Sequence, residues 1–223
     1  MFTVLGISLL ASYAVFPDAW MAVDKAVFYF FNERLQPGSL FLTIIAYTNL
    51  RAFDTVAFVA MGLLYLYYFL KQDVPGKRKM FSLGVCMLLA AVVIKQCGNL
   101  LSIRHPSPTL VFRNANRLSK LVDIAAKDAS RNSFPGDHGM MLMIFAAFMA
   151  RYFGRRAFLA AACIVVIFSM PRIASGAHWF SDIYMGSLTI VCITLSWFLL
   201  TPASDRCAAK IEKILPVWLF PRR

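Results

Sequence analysis

The chain has 223 residues, of which 60% are hydrophobic and 15% are charged. This composition, with several apolar runs close to bilayer-crossing length, is typical of an integral membrane protein and argues against a soluble globular domain. The net charge of +12 does not indicate nucleic-acid binding, because the basic residues form short clusters that flank apolar segments. No linker or repeat divides the sequence, so we expect one membrane domain over residues 1–223.

Six apolar runs predict an all-α, polytopic membrane helical bundle. In chain order they lie near residues 2–16, 52–70, 80–102, 137–153, 157–173 and 181–200. The first run lacks the basic start of a secretory signal peptide, so it is expected to be a retained helix. A shorter apolar stretch near 39–48 is expected to lie at the membrane interface, or to dip into it, rather than to cross.

Basic clusters predict the orientation of these helices. They follow the second, fourth and sixth runs, which places those connections in the cytoplasm and segments 17–51, 103–136 and 174–180 on the outer face. The outward segment 103–136 nevertheless carries six basic residues against two acidic ones. The basic residues are Arg104, Arg113, Arg117, Lys120, Lys127 and Arg131. An anionic ligand held at the outer face would explain this violation of the positive-inside rule.

The stretch "PRIASGAHWFSD", residues 171–182, places three polar groups in an apolar region. His178 and Asp182 are four residues apart at a predicted helix start, so they share a face, and Asp182 could fix the tautomer of His178. The two side chains could equally satisfy each other structurally. Arg172 is costly in apolar surroundings unless it meets an anion, and its planar fork suits phosphoryl oxygens. Its alternative is to snorkel to lipid headgroups.

The stretch "RNSFPGDHGMM", residues 131–141, opens the fourth apolar run. Pro135 and Gly136 shape a turn, Asp137 can cap the helix, and the free backbone N–H groups around Gly136 form an anion site. His138 would project from the first turn, placed to donate a proton. The alternative is a capped helix start in which the histidine has no chemical role.

These motifs resemble the signatures of the type 2 phosphatidic acid phosphatase (PAP2) superfamily, which shares its fold with the vanadium haloperoxidases. The third signature is matched by Arg172, His178 and Asp182, with five residues between the first two and three between the last two. The stretch "FPGDH" resembles the second signature, Pro-Ser-Gly-His. Arg104 matches the arginine of the first signature, Lys, six residues, Arg-Pro. The chain departs from the pattern in the eight residues between Lys95 and Arg104, and in a proline and a glycine where the family has serines. These are Pro171 and Gly136.

The resemblance implies phosphoryl transfer through a phosphohistidine. His178, oriented by Asp182, would attack phosphorus, while His138 protonates the leaving oxygen and then serves as base for the acceptor. The phosphate would be bound by Arg104, Arg172 and the Gly136 turn, with Lys127 and Arg131 adding positive charge because of their position before the second signature. No carboxylate cluster suited to metal ions is present in the sequence, so we expect neither a metal ion nor a cofactor.

Within the superfamily, the sequence resembles phosphotransferases that act on lipid A in Gram-negative inner membranes. This implies undecaprenyl pyrophosphate as donor, the 1-phosphate of lipid A as acceptor, and a site that faces the periplasm. With water as acceptor, the same residues would make an undecaprenyl pyrophosphate or other lipid phosphate phosphatase, and this alternative stays open. A non-enzymatic lipid-binding membrane protein is the third hypothesis. In each case the expected partners are lipids and not nucleic acid.

Overall fold

The computed structural model describes residues 2–100 and 105–216, without the side chains of residues 99 and 100. Within these ranges the regular structure is helical, with no strand. The helices in chain order are α1 (Phe2–Val15), α2 (Pro17–Asn32), α3 (Leu40–Thr48), α4 (Arg51–Leu70), α5 (Val74–Leu100), α6 (Pro108–Val111), α7 (Leu118–Leu121), α8 (Asp137–Ala174), α9 (Asp182–Leu200) and α10 (Ala203–Ile214). The prediction of an all-α membrane bundle is confirmed.

Four of these helices, α4, α5, α8 and α9, are long and apolar enough to cross a membrane. The pair α1 and α2 forms a fifth candidate span that is bent by 92°. Alone, α1 has 14 residues, which span about 21 Å and fall short of the hydrocarbon core of a bilayer. It packs along α9, where a Cβ on Gly6 would lie 2.8 Å from the Ile193 side chain. The protein is therefore a multi-pass membrane protein. Its first helix is too short to cross the bilayer alone.

Helix α8 is a hairpin of two antiparallel arms, residues 137–153 and 155–174. Gly154 divides them with φ 81° and ψ −173°, a conformation open to glycine because it lacks a Cβ. A straight helix would separate His138 and Arg172 by about 51 Å, yet both contact the carboxylate of Asp54. The arms therefore return to the same end of the bundle, as the separate apolar runs at 137–153 and 157–173 predict. Counted as two crossings, they make five with α4, α5 and α9, and the bent pair α1 and α2 is a candidate sixth.

The segment 17–51 forms two helices in place of the single interfacial stretch expected near 39–48. Helix α3 covers that stretch and begins after Ser39, whose Oγ accepts a hydrogen bond from the Leu42 amide. Helix α2 was not predicted, because charged residues interrupt its apolar pattern. One of them, Asp24, is buried and accepts hydrogen bonds from the amide and the Oγ of Ser181. Helix α2 thus holds the start of α9 in place.

The main apolar core lies between the two arms of α8 and helices α4, α5 and α9. Parts of α9 are π-helical, over Asp182–Ser187 and Val191–Leu195. In the first of these parts, Ser187 Oγ donates to the carbonyls of Pro135 and Gly136. The wide turn of α9 therefore binds the loop that opens α8, which fixes where the second signature sits.

Candidate active site

A cavity of about 420 Å³ lies where the two ends of α8 meet the start of α4 and the loop before α8. Five of the eight site residues predicted from the sequence line it, namely His138, His178, Arg172, Gly136 and Lys127. Its other lining residues are Asp54, Lys95, Ser130, Asn132, Ser133, Phe134, Asp137 and Met141. The structure thus brings the second and third signatures into one cavity.

The remaining three predicted residues differ in their positions. Asp182 is fully buried behind His178. Arg131 is exposed and does not line the cavity, so its expected place beside the phosphate site is not found; the loop turns its neighbours Ser130 and Asn132 inward instead. Arg104 lies outside the described residues.

His178 sits in the loop between α8 and α9, where its amide donates to the Arg172 carbonyl at 3.1 Å. Its Nδ1 is buried and lies 3.6 Å from Oδ2 of Asp182, with no hydrogen-bond partner among the described residues. The expected hydrogen bond between these two residues is therefore not formed in this structure, where the two atoms lie just beyond hydrogen-bond distance. Because Nδ1 faces Asp182, the Nε2 edge of the ring is left toward the cavity.

Asp182 has two closer partners than His178. Its Oδ2 accepts from the amide of Trp179 at 2.9 Å, and its Oδ1 lies 2.8 Å from Nδ1 of His105. Four-residue spacing predicted a His178 partner because it assumed that both residues lie on one helix. His178 precedes α9, so helical geometry does not apply to it. Sequence reasoning placed His105 at the outer face but did not give it a role in the site.

His138 lies in the first turn of α8, after the left-handed Gly136 (φ 79°). A Cβ on Gly136 would lie 3.2 Å from Ile183 and Ser187 side-chain atoms, so both the φ angle and the packing favour glycine. Nδ1 of His138 lies 3.5 Å from Oδ1 of Asp54. Its Nε2 is buried and makes no hydrogen bond of ordinary geometry among the described residues, although the ring interacts with the Phe168 backbone.

Arg172 is buried, with 4% of its surface exposed, so it does not snorkel to headgroups. Its Nη2 donates to Asp54, and its Nη1 lies 3.4 Å from Oδ1 of Asn49. Asn49 is itself fixed, because its Nδ2 donates to the carbonyls of Ile45 and Pro171. Sequence reasoning missed Asn49 and Asp54, which stand in an apolar context with no motif around them.

Lys95 and Asp137 form an ion pair of 3.4 Å at the rim of the cavity, with both side chains about half exposed. Lys95 thus reaches the site in spite of its shifted spacing. Asp137 was predicted to cap α8, but it is the first residue of the helix and makes no capping hydrogen bond, since Gly136 occupies the cap position. With Lys127 and Arg172, Lys95 gives the cavity three cationic side chains against two carboxylates, an excess that suits an anion.

The loop that carries Lys127 is held by the buried carboxylate of Asp128. This group accepts hydrogen bonds from Nη2 of Arg117 and from the amide and Oγ of Ser119. Burial alone would raise the pKa of Asp128, but these donors outweigh it and hold the pKa below its ordinary value. The Lys127 amide also donates to the Asn49 carbonyl at 3.0 Å. The loop is therefore tied to the residue that supports Arg172.

A second, apolar cavity of about 560 Å³ lies between α4, α5 and the first arm of α8. Its lining includes Phe58, Gly62, Leu88 and Ala91. Met141 lines both cavities. The charged cavity therefore lies beside an apolar one, an arrangement that suits a ligand with an anionic head and a hydrocarbon chain.

Within residues 2–100 and 105–216, no three His, Cys, Asp or Glu side chains are placed to hold a metal ion.

Residues 79–206 match the PAP2 superfamily. Over 198 residues the chain is 51% identical to "Lipid A 1-diphosphate synthase" of Escherichia coli (strain K12), an alignment that covers 88% of this chain and 84% of the relative. No solved structure gives a significant match.

Proposed function

Since this chain belongs to the PAP2 superfamily, we propose that it transfers the terminal phosphate of undecaprenyl pyrophosphate to the 1-phosphate of lipid A. One structural observation carries the proposal: His138, His178 and Arg172 line the same cavity, although 40 positions separate the two histidines. The name of the 51% identical relative supports the choice of lipid A as acceptor. The enzyme is then a lipid phosphotransferase of the lipid A 1-diphosphate synthase type.

In the first half-reaction, Nε2 of His178 attacks the terminal phosphorus of the donor. The bond from phosphorus to the bridging oxygen breaks, and Nε2 of His138 gives its proton to that oxygen, which leaves as undecaprenyl phosphate. Arg172 and the amides at the start of α8 bind the transferred group as charge spreads over its oxygens. Arg104 contributes a further cation in this proposal.

In the second half-reaction, an oxygen of the lipid A 1-phosphate attacks the phosphohistidine. The bond between nitrogen and phosphorus breaks, the acceptor's proton passes to His138, and His178 regains its free ring nitrogen. The product is the lipid A 1-diphosphate. Lys127 and Lys95 supply positive charge for a cavity that holds the phosphates of two substrates.

The apolar cavity beside the charged one supports a lipid donor. Met141 lines both cavities, and in this proposal a pyrophosphate bound near Arg172 extends its polyprenyl chain between α4 and α5. Basic residues mark the opposite end of the bundle, at the Gly154 turn and at the start of α5. They are Lys77, Arg78, Lys79, Arg155 and Arg156. By the positive-inside rule that end is cytoplasmic, which supports a site on the periplasmic side of the bacterial inner membrane.

The test uses detergent-purified protein and undecaprenyl pyrophosphate labelled in its terminal phosphate, with and without lipid A. We expect label on lipid A, and a trapped protein-bound label that is stable to base and labile to acid. His178→Ala should abolish both, while Asp123→Asn, at an exposed position outside the cavity, should abolish neither. Label released only as inorganic phosphate would make the protein a phosphatase. Lipid binding without turnover would make it a lipid-binding protein.

A further inference from the structure

We infer that Asp54 is a positioning residue for the acid and base steps, holding His138 and Arg172 in fixed relation to one another. The inference rests on the proposed function, because it assigns Asp54 a role in the proton transfers of His138. Asp54 lies in the first turn of α4 and belongs to none of the three signature motifs. Its role is visible only from the contacts of its side chain.

One oxygen of Asp54 serves two residues from opposite arms of the α8 hairpin. Oδ1 accepts from Nη2 of Arg172 and lies 3.5 Å from Nδ1 of His138. About half of the Asp54 side chain is exposed, and it lines the charged cavity. The carboxylate therefore sits between the proposed proton donor and the proposed phosphate ligand.

This placement fixes which nitrogen of His138 carries the transferable proton. A carboxylate beside Nδ1 favours a proton on that nitrogen, so the proton exchanged with substrate must be the one on Nε2. Nε2 is buried and makes no hydrogen bond of ordinary geometry among the described residues, and the ring also interacts with the Phe168 backbone. When Nε2 gives its proton to the leaving oxygen, the neutral ring keeps Nδ1–H toward Asp54 and is ready to take a proton from the acceptor. Each histidine of the site thus has a carboxylate beside its Nδ1.

The same carboxylate could instead compete with the substrate phosphate for Arg172. The contact of Asp54 with His138 favours the positioning role, because competition with phosphate for Arg172 would not require Asp54 to contact a histidine as well. The guanidinium also keeps N–H donors for a phosphate, because it has five and only its Nη1 and Nη2 groups meet Asn49 and Asp54. Asp54 therefore aligns Arg172 and leaves it able to bind an anion.

Several charged or titratable groups surround His138 and contribute to any pH dependence. They are Asp54, Lys95, Asp137, Arg172 and His178. These residues lie on α4, on α5, at the two ends of α8 and in the loop after α8. Of these, the structure places the Asp54 carboxylate 3.5 Å from a ring nitrogen of His138. Removing its charge should therefore destabilise the protonated ring.

The test compares Asp54→Asn, Asp54→Glu and the control Asp123→Asn, assayed by transfer of labelled phosphate from undecaprenyl pyrophosphate. We expect Asp54→Asn to lower kcat by about 10- to 100-fold and to move the basic limb of the kcat/KM profile to lower pH. Asp54→Glu should restore part of the rate. Melting temperatures of the detergent-solubilised variants check that each one is folded.

A double-mutant cycle separates positioning from structural effects. If Asp54 acts through His138, adding Asp54→Asn to His138→Ala should cost less than about threefold further. An equal loss in both backgrounds with an unmoved pH limb, or a lower KM with unchanged kcat, would overturn the inference. Failure of the wild type to transfer label, or an unimpaired His138→Ala variant, would instead overturn the proposed function.

Discussion

Nδ1 of His105 lies 2.8 Å from Oδ1 of Asp182, closer than any ring nitrogen of His178 comes to the same carboxylate. This contact joins the loop before α8 to the start of α9. The loop is also fixed at this point by Ser133, whose amide and Oγ both donate to the His105 carbonyl. His105 directly follows Arg104 in the chain, so Asp182 contacts the residue next to the arginine of the first signature.

We expect His105→Ala to lower kcat about 10- to 100-fold, because Asp182 loses its nearest side-chain donor and His178 loses a fixed neighbour. His105→Asn should retain most of the activity, since its amide nitrogen can take the place of Nδ1. Steady-state transfer assays on both variants measure this difference. Equal activity of the alanine and asparagine variants would show that the contact with Asp182 has no catalytic consequence.

Lys127 and Arg131 form a matched pair, since both are basic residues of one loop and only Lys127 lines the cavity. Lys127→Ala should raise KM by about tenfold, the loss of one charge-assisted contact to phosphate. Arg131→Ala should change KM by less than about twofold, as expected for an exposed charge. KM values at two salt concentrations test the pair, and a larger effect at Arg131 would contradict the structure.

Gly62 borders the apolar cavity, and a Cβ built there meets no atom within 4 Å. Gly62→Phe should therefore fill the space proposed for the polyprenyl chain without a steric clash. We expect it to lower kcat/KM for undecaprenyl pyrophosphate by about tenfold, since a lost methylene contact costs about 0.8 kcal/mol, and to spare a ten-carbon analogue. Val59→Phe, on the same helix outside the cavity lining, is the control. Equal losses on both chain lengths would place the chain elsewhere.

Asp128→Asn should destabilise the protein by about 2 kcal/mol, because the buried side chain exchanges a charged acceptor for a neutral amide. The pKa of Asp128 is lowered in the folded state, so its carboxylate contributes stability above its ordinary pKa of about 4. That contribution disappears as the pH falls through the lower, folded value. Melting temperatures of wild type and variant should therefore differ at pH 7 and converge below pH 4. A constant difference would contradict this assignment.

The spans and signatures could be predicted because they depend on local patterns. Apolar runs marked both arms of α8, and the spacing from Arg172 to Asp182 marked the third signature. The contacts of Asp54, Asn49 and His105 could not be predicted, since each joins residues far apart in sequence through packing. Helix α2 was missed for a related reason. Asp24 interrupts its apolar pattern, and the hydrogen bonds from Ser181 that allow this carboxylate to be buried come from a residue far away in the sequence.

The turn at Gly154 brings two residues of the site together within one helical hairpin. Because His138 and Arg172 belong to two arms of one hairpin, a pair of adjacent helices inserted together brings the proton donor and the phosphate ligand to the same depth in the bilayer. Their distance then depends on hairpin packing more than on where α5 or α9 docks. The spacing between acid and arginine therefore depends on the packing of the α8 hairpin and on Asp54 of α4, which contacts both residues.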